Sequence, residues 1–168
     1  MSLTIYDASV TVFLHNLKQL SHLLDKGEAH AKEKGIDPAT LVNAKLAEDM
    51  RPLSFQIQSA SDASKLAVVR LTGTKAPSFP DTETTFAELQ KRIADTREYL
   101  QSVPREAFVG SEDRKFMMKV GPGEMEFTGQ PYLLHFALPN FFFHVTTAYD
   151  ILRHNGVQIG KRDYLGRA

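Results

Sequence analysis

Apolar residues recur at helical spacing over four long stretches of the chain. In the first stretch, Val10, Leu14, Leu17 and Leu24 form a stripe with helical spacings of three, four and seven residues. Such a stripe is typical of the buried face of an amphipathic helix. The pattern predicts a first helix that is capped by Asp7 or Ser9 and runs to about residue 34.

The next two long stretches carry their own start signals. Asp49 is the predicted cap of the second long helix, which tolerates Pro52 in its first turn and runs to about Leu71. Thr82 or Thr84 is the predicted start of the third long helix, because hydroxyl side chains favour helix N-termini.

The pattern changes after the third helix. Two short apolar runs, 116–120 and 124–127, flank Gly121-Pro122-Gly123, which predicts a β-hairpin. A last apolar helix follows from Pro139 to a stop at Gly156. The segment 157–166 has no clear period. The order of elements predicts an all-α four-helix bundle with a small β-hairpin before the last helix, as a single domain over residues 1–168.

Composition narrows the class of protein. Twenty basic residues balance twenty acidic ones, which argues against a nucleic-acid-binding protein, although Lys161, Arg162 and Arg167 could form a local basic patch. The chain has no cysteine, so thiolate zinc sites and cysteine nucleophiles are excluded. We see no signal peptide and no apolar run long enough to span a membrane, and we therefore expect a cytoplasmic protein.

The last helix holds the strongest candidate for chemistry. Asn140 and His144 lie four residues apart on a helix that is otherwise apolar, so both side chains share one face. Such a pair must be hydrogen-bonded, metal-bound or catalytic. Because asparagine is a weak neutral ligand, a metal site would need an anionic third ligand. Asp49 is the candidate, and Gln56 lies two helical turns later on the same helix face.

Two further pairs of residues are candidates for binding. Tyr149 and Arg153, four residues apart on the last helix, could bind an anionic group. The alternative is an arginine–aromatic stack or a salt bridge to Asp150 or Glu48. His15 and His22 share a helix stripe with charged residues, which predicts a solvated face.

Several segments together resemble an uncharacterised bacterial domain-of-unknown-function family within the DinB/YfiT-like superfamily. They are DMRPLSFQIQ at 49–58 with Asp62 after it, LPNFFFH at 138–144, ILRHNG at 151–156 and GKRDYLG at 160–166. The likeness covers essentially the whole chain, and the C-terminal block is specific. It implies an up-down-down-up helix order and, as is frequent in that superfamily, a homodimer.

The resemblance also implies where a metal would bind. Characterised superfamily members typically hold a divalent ion through one histidine on the second long helix and an H-x-x-x-H pair on the last helix. His144 matches the second histidine of that pair and Asn140 the first, while the second-helix histidine has no counterpart and Asp49 is the nearest polar residue. A zinc, nickel or manganese ion held by these three residues would be bound more weakly than by three imidazoles.

Two functional hypotheses therefore stay open on the sequence. One is a divalent-metal-dependent hydrolase or thiol-dependent transferase with an altered metal site, in which Gln56 orients the substrate. The other is a metal-free module that binds a small ligand or mediates interaction as a dimer, without catalysis. In either case, we expect the tail from Gly156 to Gly166 to fold back near the mouth of the Asn140–His144 pocket.

Overall fold

The computed structural model describes residues 3–166, so Arg167 of the expected basic patch lies outside the described residues. Within that range the chain is mostly helical, with one two-stranded hairpin before the last long helix, as predicted. No helix of the described part is long and apolar enough to cross a membrane. The long helices are α1 (Val12–Lys34), α3 (Leu53–Thr72), α4 (Phe86–Ser102) and α6 (Leu138–His154); the short ones are α2 (Pro38–Val42), α5 (Gly129–Tyr132) and α7 (Lys161–Leu165).

The first helix begins earlier than predicted. A π-helical segment, Asp7–Thr11, leads directly into α1, and Thr4 takes the capping role that was predicted for Asp7 or Ser9. The Thr4 hydroxyl accepts from the Asp7 amide, while the Asp7 carboxylate accepts from the Thr4 amide at 3.3 Å. This reciprocal pairing satisfies two backbone N–H groups at once, so Asp7 lies three residues inside the helix.

The start of α3 corrects the prediction for Asp49. The helix begins at Leu53 after Pro52, and no side chain caps it. The Leu53 amide instead donates to the backbone carbonyl of Ala44 at 2.9 Å, because the segment between α2 and α3 turns back on itself. With that amide satisfied by backbone, Asp49 is not needed as a cap, and it lies exposed in the turn.

The start of α4 corrects the prediction of Thr82 or Thr84. Thr85 caps the helix, and its hydroxyl accepts from the Glu88 amide at 3.2 Å. The Glu88 carboxylate accepts hydrogen bonds from the backbone amides of Thr84 and Thr85, and Glu88 is exposed to solvent. These hydrogen bonds lower the pKa of Glu88.

The hairpin pairs β1 (Lys115–Val120) with β2 (Gly123–Thr128) in antiparallel register. Phe116 lies opposite Phe127, and both rings contact the Tyr132 ring at 5.0 and 5.8 Å between centroids. An isolated hairpin is marginal in water. This aromatic cluster and the buried Met118 therefore anchor the hairpin on the helices.

The long helices share one apolar core. Helix α3 packs against α6 and α4, and α1 packs against α4, α6 and α7. Side chains from all four contribute, and the largest that are almost completely buried include Phe13, Leu53, Phe86 and Phe141. This arrangement brings the polar faces of α3 and α6 to a common seam.

The tail docks on the helices, as predicted. Val157 and Ile159 are buried, and the Tyr164 ring lies 5.8 Å from that of Tyr149. Helix α7 covers part of the α1 stripe that was predicted to be solvated: His22 Nε2 lies 3.2 Å from the Asp163 carboxylate. His15 is exposed, as the predicted solvated face requires, whereas His22 is partly covered, because the tail supplies Asp163 as its partner.

Candidate functional site

A cleft of about 490 Å³ opens at the seam between α3 and α6. Helix α3 presents one face to it at three- and four-residue spacing, and the N-terminal part of α6 supplies Asn140 and His144. The hairpin tip closes one side, and Asp81 reaches in from the loop before α4. The lining residues are Phe55, Ser59, Asp62, Ala63, Leu66, Arg70, Asp81, Met118, Lys119, Val120, Gly121, Phe136, Asn140 and His144.

His144 is held by Gln56, which is only 2% exposed. The Gln56 side-chain Nε2 donates to the backbone carbonyl of Arg51 at 3.0 Å. Because a carbonyl can only accept, this bond fixes the orientation of the amide and leaves Oε1 facing His144 Nδ1, at 2.9 Å. Oε1 is itself an acceptor, so Nδ1 must carry the proton. In neutral His144 the lone pair is therefore on Nε2.

The surroundings of His144 favour this neutral form. The rings of Phe55 and Phe143 approach the imidazole edge to face, with centroids at 6.1 and 5.3 Å. Burial lowers the pKa of His144 below its ordinary value, because the charged form loses hydration. His144 can thus act near neutral pH as a hydrogen-bond acceptor, a proton acceptor or a metal ligand through Nε2.

The three residues predicted as metal ligands are only partly brought together. Asn140 and His144 line the same cleft, and Asn140 is half-buried there. Asp49 is exposed in the turn before α3 and is not part of the cleft lining. Across residues 3–166, no three histidine, cysteine, aspartate or glutamate side chains cluster as a metal site. The donors present thus differ from the three imidazoles typical of the superfamily.

An ionic network around the buried Arg92 supports one wall of the cleft. The Arg92 side chain is 1% exposed and contacts three carboxylates: Asp62 at 3.0 Å, Asp81 at 3.1 Å and Glu83 at 2.9 Å. The Lys65 ammonium lies 3.0 Å from the same Asp62 oxygen. This network fixes the loop before α4 against α3, and it engages both carboxylates that line the cleft.

Arg70 lies on the α3 face at the other end of the cleft. Its guanidinium donates to the Tyr132 hydroxyl at 2.8 Å and lies 5.6 Å from the centre of that ring. Burial raises the pKa of Tyr132, although Arg70 opposes the shift. The phenol therefore stays protonated near neutral pH and keeps a donor hydrogen.

Sequence reasoning missed Ser59, Asp62, Arg70 and Arg92 as parts of the site. The available signal was the spacing of 55, 59, 62, 63, 66 and 70, which places all six positions on one face of α3. Arg92 gave no local signal, because its partner Asp62 lies thirty residues away.

Tyr149 and Arg153 lie apart from the cleft. Tyr149 lines a second depression of about 240 Å³ together with Thr146, Asp150, Lys161 and Tyr164. Arg153 is exposed and is not part of either lining. The tail also stays away from the cleft, since no lining residue comes from the segment after His144. The tail folds back on the helices as expected, but none of its residues lines the cleft, because α7 packs along α1 instead.

Comparisons with known proteins agree on one relationship. The family described as "Domain of unknown function (DUF1993)" matches residues 5–165. A crystal structure of a DinB family member protein from Shewanella denitrificans is similar, with 43% sequence identity and a TM-score of 0.92; the match covers 96% of this chain and 92% of that one. A comparison with curated proteins finds no match.

Proposed function

Since the chain belongs to DUF1993, an uncharacterised DinB-like family, we propose that the α3–α6 cleft binds a small molecule through His144. The observation that carries the proposal is the Gln56 hydrogen bond, which leaves the Nε2 lone pair of a half-buried imidazole unprotonated. Clefts with a few fixed polar groups among apolar side chains are the usual form of small-molecule sites. The polar groups in the cleft support metal-free binding of a ligand better than binding through a metal ion.

A fragment screen tests this proposal. Protein with labelled histidines is titrated with neutral fragments that carry an N–H or O–H donor, and the His144 ring signals are followed by NMR. We expect some fragments to shift those signals and to bind about tenfold more weakly to the His144→Ala variant, as loss of one hydrogen bond predicts.

The matched control is His154→Ala, because His154 lies exposed at the end of the same helix. It should bind the same fragments as the wild type does. Fragments that bind to the His144→Ala variant with unchanged affinity would contradict the proposal.

A divalent-metal-dependent hydrolase or thiol-dependent transferase is the second candidate. It is favoured by the Nδ1–H···Oε1 bond to Gln56, since metal-bound histidines usually donate their other ring N–H to such a partner. A bound ion would supply an acidified water. Because Asp49 lies outside the cleft, the predicted ligands that remain there are Asn140 and His144, which do not match a three-histidine centre. We therefore assign no catalytic step to a metal.

Metal titration separates the two candidates. Protein purified without an affinity tag is titrated with zinc, nickel and manganese ions in a calorimeter. If the metal-dependent candidate holds, His144→Ala abolishes binding and His22→Ala leaves it unchanged. Unaltered metal affinity in the His144→Ala protein would remove His144 as a ligand.

We also propose that the four long helices follow an up-down-down-up order and that the protein forms a homodimer. The dimer is supported by large apolar side chains that stay exposed, including Phe143 on α6 and Met117 and Met125 on the hairpin. Apolar patches on the surface of a monomer often mark interfaces. Light scattering should give twice the mass of the chain, and a monomeric mass at micromolar concentration would contradict this.

A further inference from the structure

Arg70 carries a charge that no carboxylate of the described residues neutralises. It is half-buried, it lines the cleft, and no acidic side chain within residues 3–166 forms an ion pair with it. One of its N–H groups is used by the Tyr132 hydroxyl. The remaining N–H groups have no acceptor in the described part of the chain.

Tyr132 fixes the position of the Arg70 guanidinium. Its hydroxyl accepts from Arg70 and is buried with the rest of the side chain, which is 2% exposed. The phenolic hydrogen has no acceptor in residues 3–166. Because Tyr132 is buried and is not part of the cleft lining, its hydroxyl holds the Arg70 guanidinium in place, and Arg70 alone faces a ligand.

The two carboxylates that line the cleft do not compete for Arg70. Asp62 and Asp81 both form ion pairs with the buried Arg92, and Asp62 also contacts Lys65. Asp62 precedes Arg70 by eight residues on α3, which is roughly 12 Å along the helix axis. The cleft therefore has a cationic end at Arg70 and a separate, internally paired acidic region nearer to His144.

Apolar side chains connect the two ends. Leu66 from α3, Met118 and Val120 from the hairpin, and Phe136 just before α6 all line the cleft. Gln56 and Arg70 lie fourteen residues apart on α3, roughly 21 Å along the axis. A ligand that reaches from Arg70 past the apolar side chains to His144 must therefore be elongated.

We propose that the cleft takes an elongated organic anion. Its carboxylate or phosphate binds the Arg70 guanidinium, which Tyr132 holds in place, and its apolar body lies along Leu66, Met118 and Phe136. The far end of the molecule then points towards Asn140 and His144. The proposal rests on the proposed function, because it names the class of ligand for the same cleft.

Alkyl probes of equal chain length test this. Calorimetry and NMR compare octanoate and octyl phosphate with neutral octanol and with acetate, which has the head group alone. We expect the two alkyl anions to bind at least about tenfold more tightly than octanol or acetate, since a hydrogen bond to a charged group contributes more than a neutral one. The stronger of the two anions identifies the preferred head group.

The variants are chosen so that folding and binding are separated. Arg70→Met should remove the preference for the anions and leave octanol binding within about twofold of the wild type. Arg70→Lys should keep part of the preference, because the charge remains and the fork is lost. Lys75→Met removes an exposed cation that is outside the cleft lining and should change nothing. Melting curves verify that each variant is folded.

The outcomes distinguish this proposal from the proposed function. Equal binding of octanol and octanoate, or an Arg70→Met variant that keeps the preference for octanoate, would overturn the anion proposal while the cleft remains a ligand site. Failure of all alkyl probes to bind would also overturn it. The fragment screen at His144 uses neutral probes and decides the proposed function independently.

Discussion

The hydrogen bond from His144 to Gln56 can be tested by changing Gln56 alone. In Gln56→Met, a side chain of similar length replaces the amide, so His144 Nδ1 loses its acceptor and the Arg51 carbonyl loses its donor. We expect His144 to leave the Nδ1–H tautomer, because nothing else in the described residues holds that proton. Leaving buried polar groups without partners should lower the free energy of unfolding by about 1–3 kcal/mol.

Gln56→Glu should act in the opposite direction on the charge of His144. A carboxylate next to Nδ1–H stabilises the imidazolium and raises the pKa of His144. Each pKa unit corresponds to about 1.4 kcal/mol of differential stabilisation between the protonated and neutral forms. In the wild type, burial lowers this pKa, so the variant should move His144 from neutral towards charged at neutral pH.

The assay is long-range ¹H–¹⁵N NMR of the imidazole rings as a function of pH. It separates a protonated ring nitrogen from one with a lone pair, and it gives the pKa in the same titration. His154 is exposed on the same helix and provides an internal control whose signals should not change. A wild-type spectrum with the proton on Nε2, or a Gln56→Glu variant with an unchanged His144 pKa, would refute the reasoning.

Four further predictions follow from other contacts. Thr85→Ala should lower the free energy of unfolding by about 1 kcal/mol in urea denaturation, because the α4 capping box is lost. Arg92→Met should lower the free energy of unfolding by about 1–3 kcal/mol, since Glu83, whose side chain is only 11% exposed, loses its charged partner; the same denaturation experiment would contradict this if the loss were below about 1 kcal/mol. Truncation after Ile159 should lower the melting temperature by a few degrees, because α7 packs on α1. The pKa of His144 is lower in the folded protein than in the unfolded chain, so the unfolded chain binds more protons. The free energy of unfolding should therefore fall as pH drops below about 6.5. The His144→Ala protein should lack this part of the pH dependence.

The helices and the hairpin could be predicted because their signals are local. Apolar spacing along α1, α3, α4 and α6 and the turn at Gly121–Pro122 depend on neighbouring residues alone. The capping errors have a local cause as well. Thr85 and Glu88 form a T-x-x-E pattern that was available in the sequence, whereas Thr82 and Thr84 lack a glutamate or glutamine three residues later.

Asp49 shows where local reasoning was insufficient. An aspartate shortly before a helix is a sound cap by residue type. Which group satisfies the first amides of α3 nevertheless depends on the path of the chain between α2 and α3. The Ala44 carbonyl reaches the Leu53 amide only because that segment folds back, and no feature of the sequence around Asp49 indicates this.

In the candidate site, too, local reasoning found some residues and missed others. Asn140, His144 and Gln56 could be predicted because burying a polar residue on an apolar helix face costs free energy unless that residue has a partner. The sequence did not indicate a binding role for Arg70, because an arginine in the last turn of a helix is common and complements the helix dipole. Its role depends on residues that are distant in the sequence. The Tyr132 hydroxyl accepts one of its N–H groups, and Arg92 forms ion pairs with Asp62 and Asp81, the two carboxylates of the cleft. The ligand chemistry of this cleft is therefore set by how charges are paired across helices, and a sequence shows the charges without their partners.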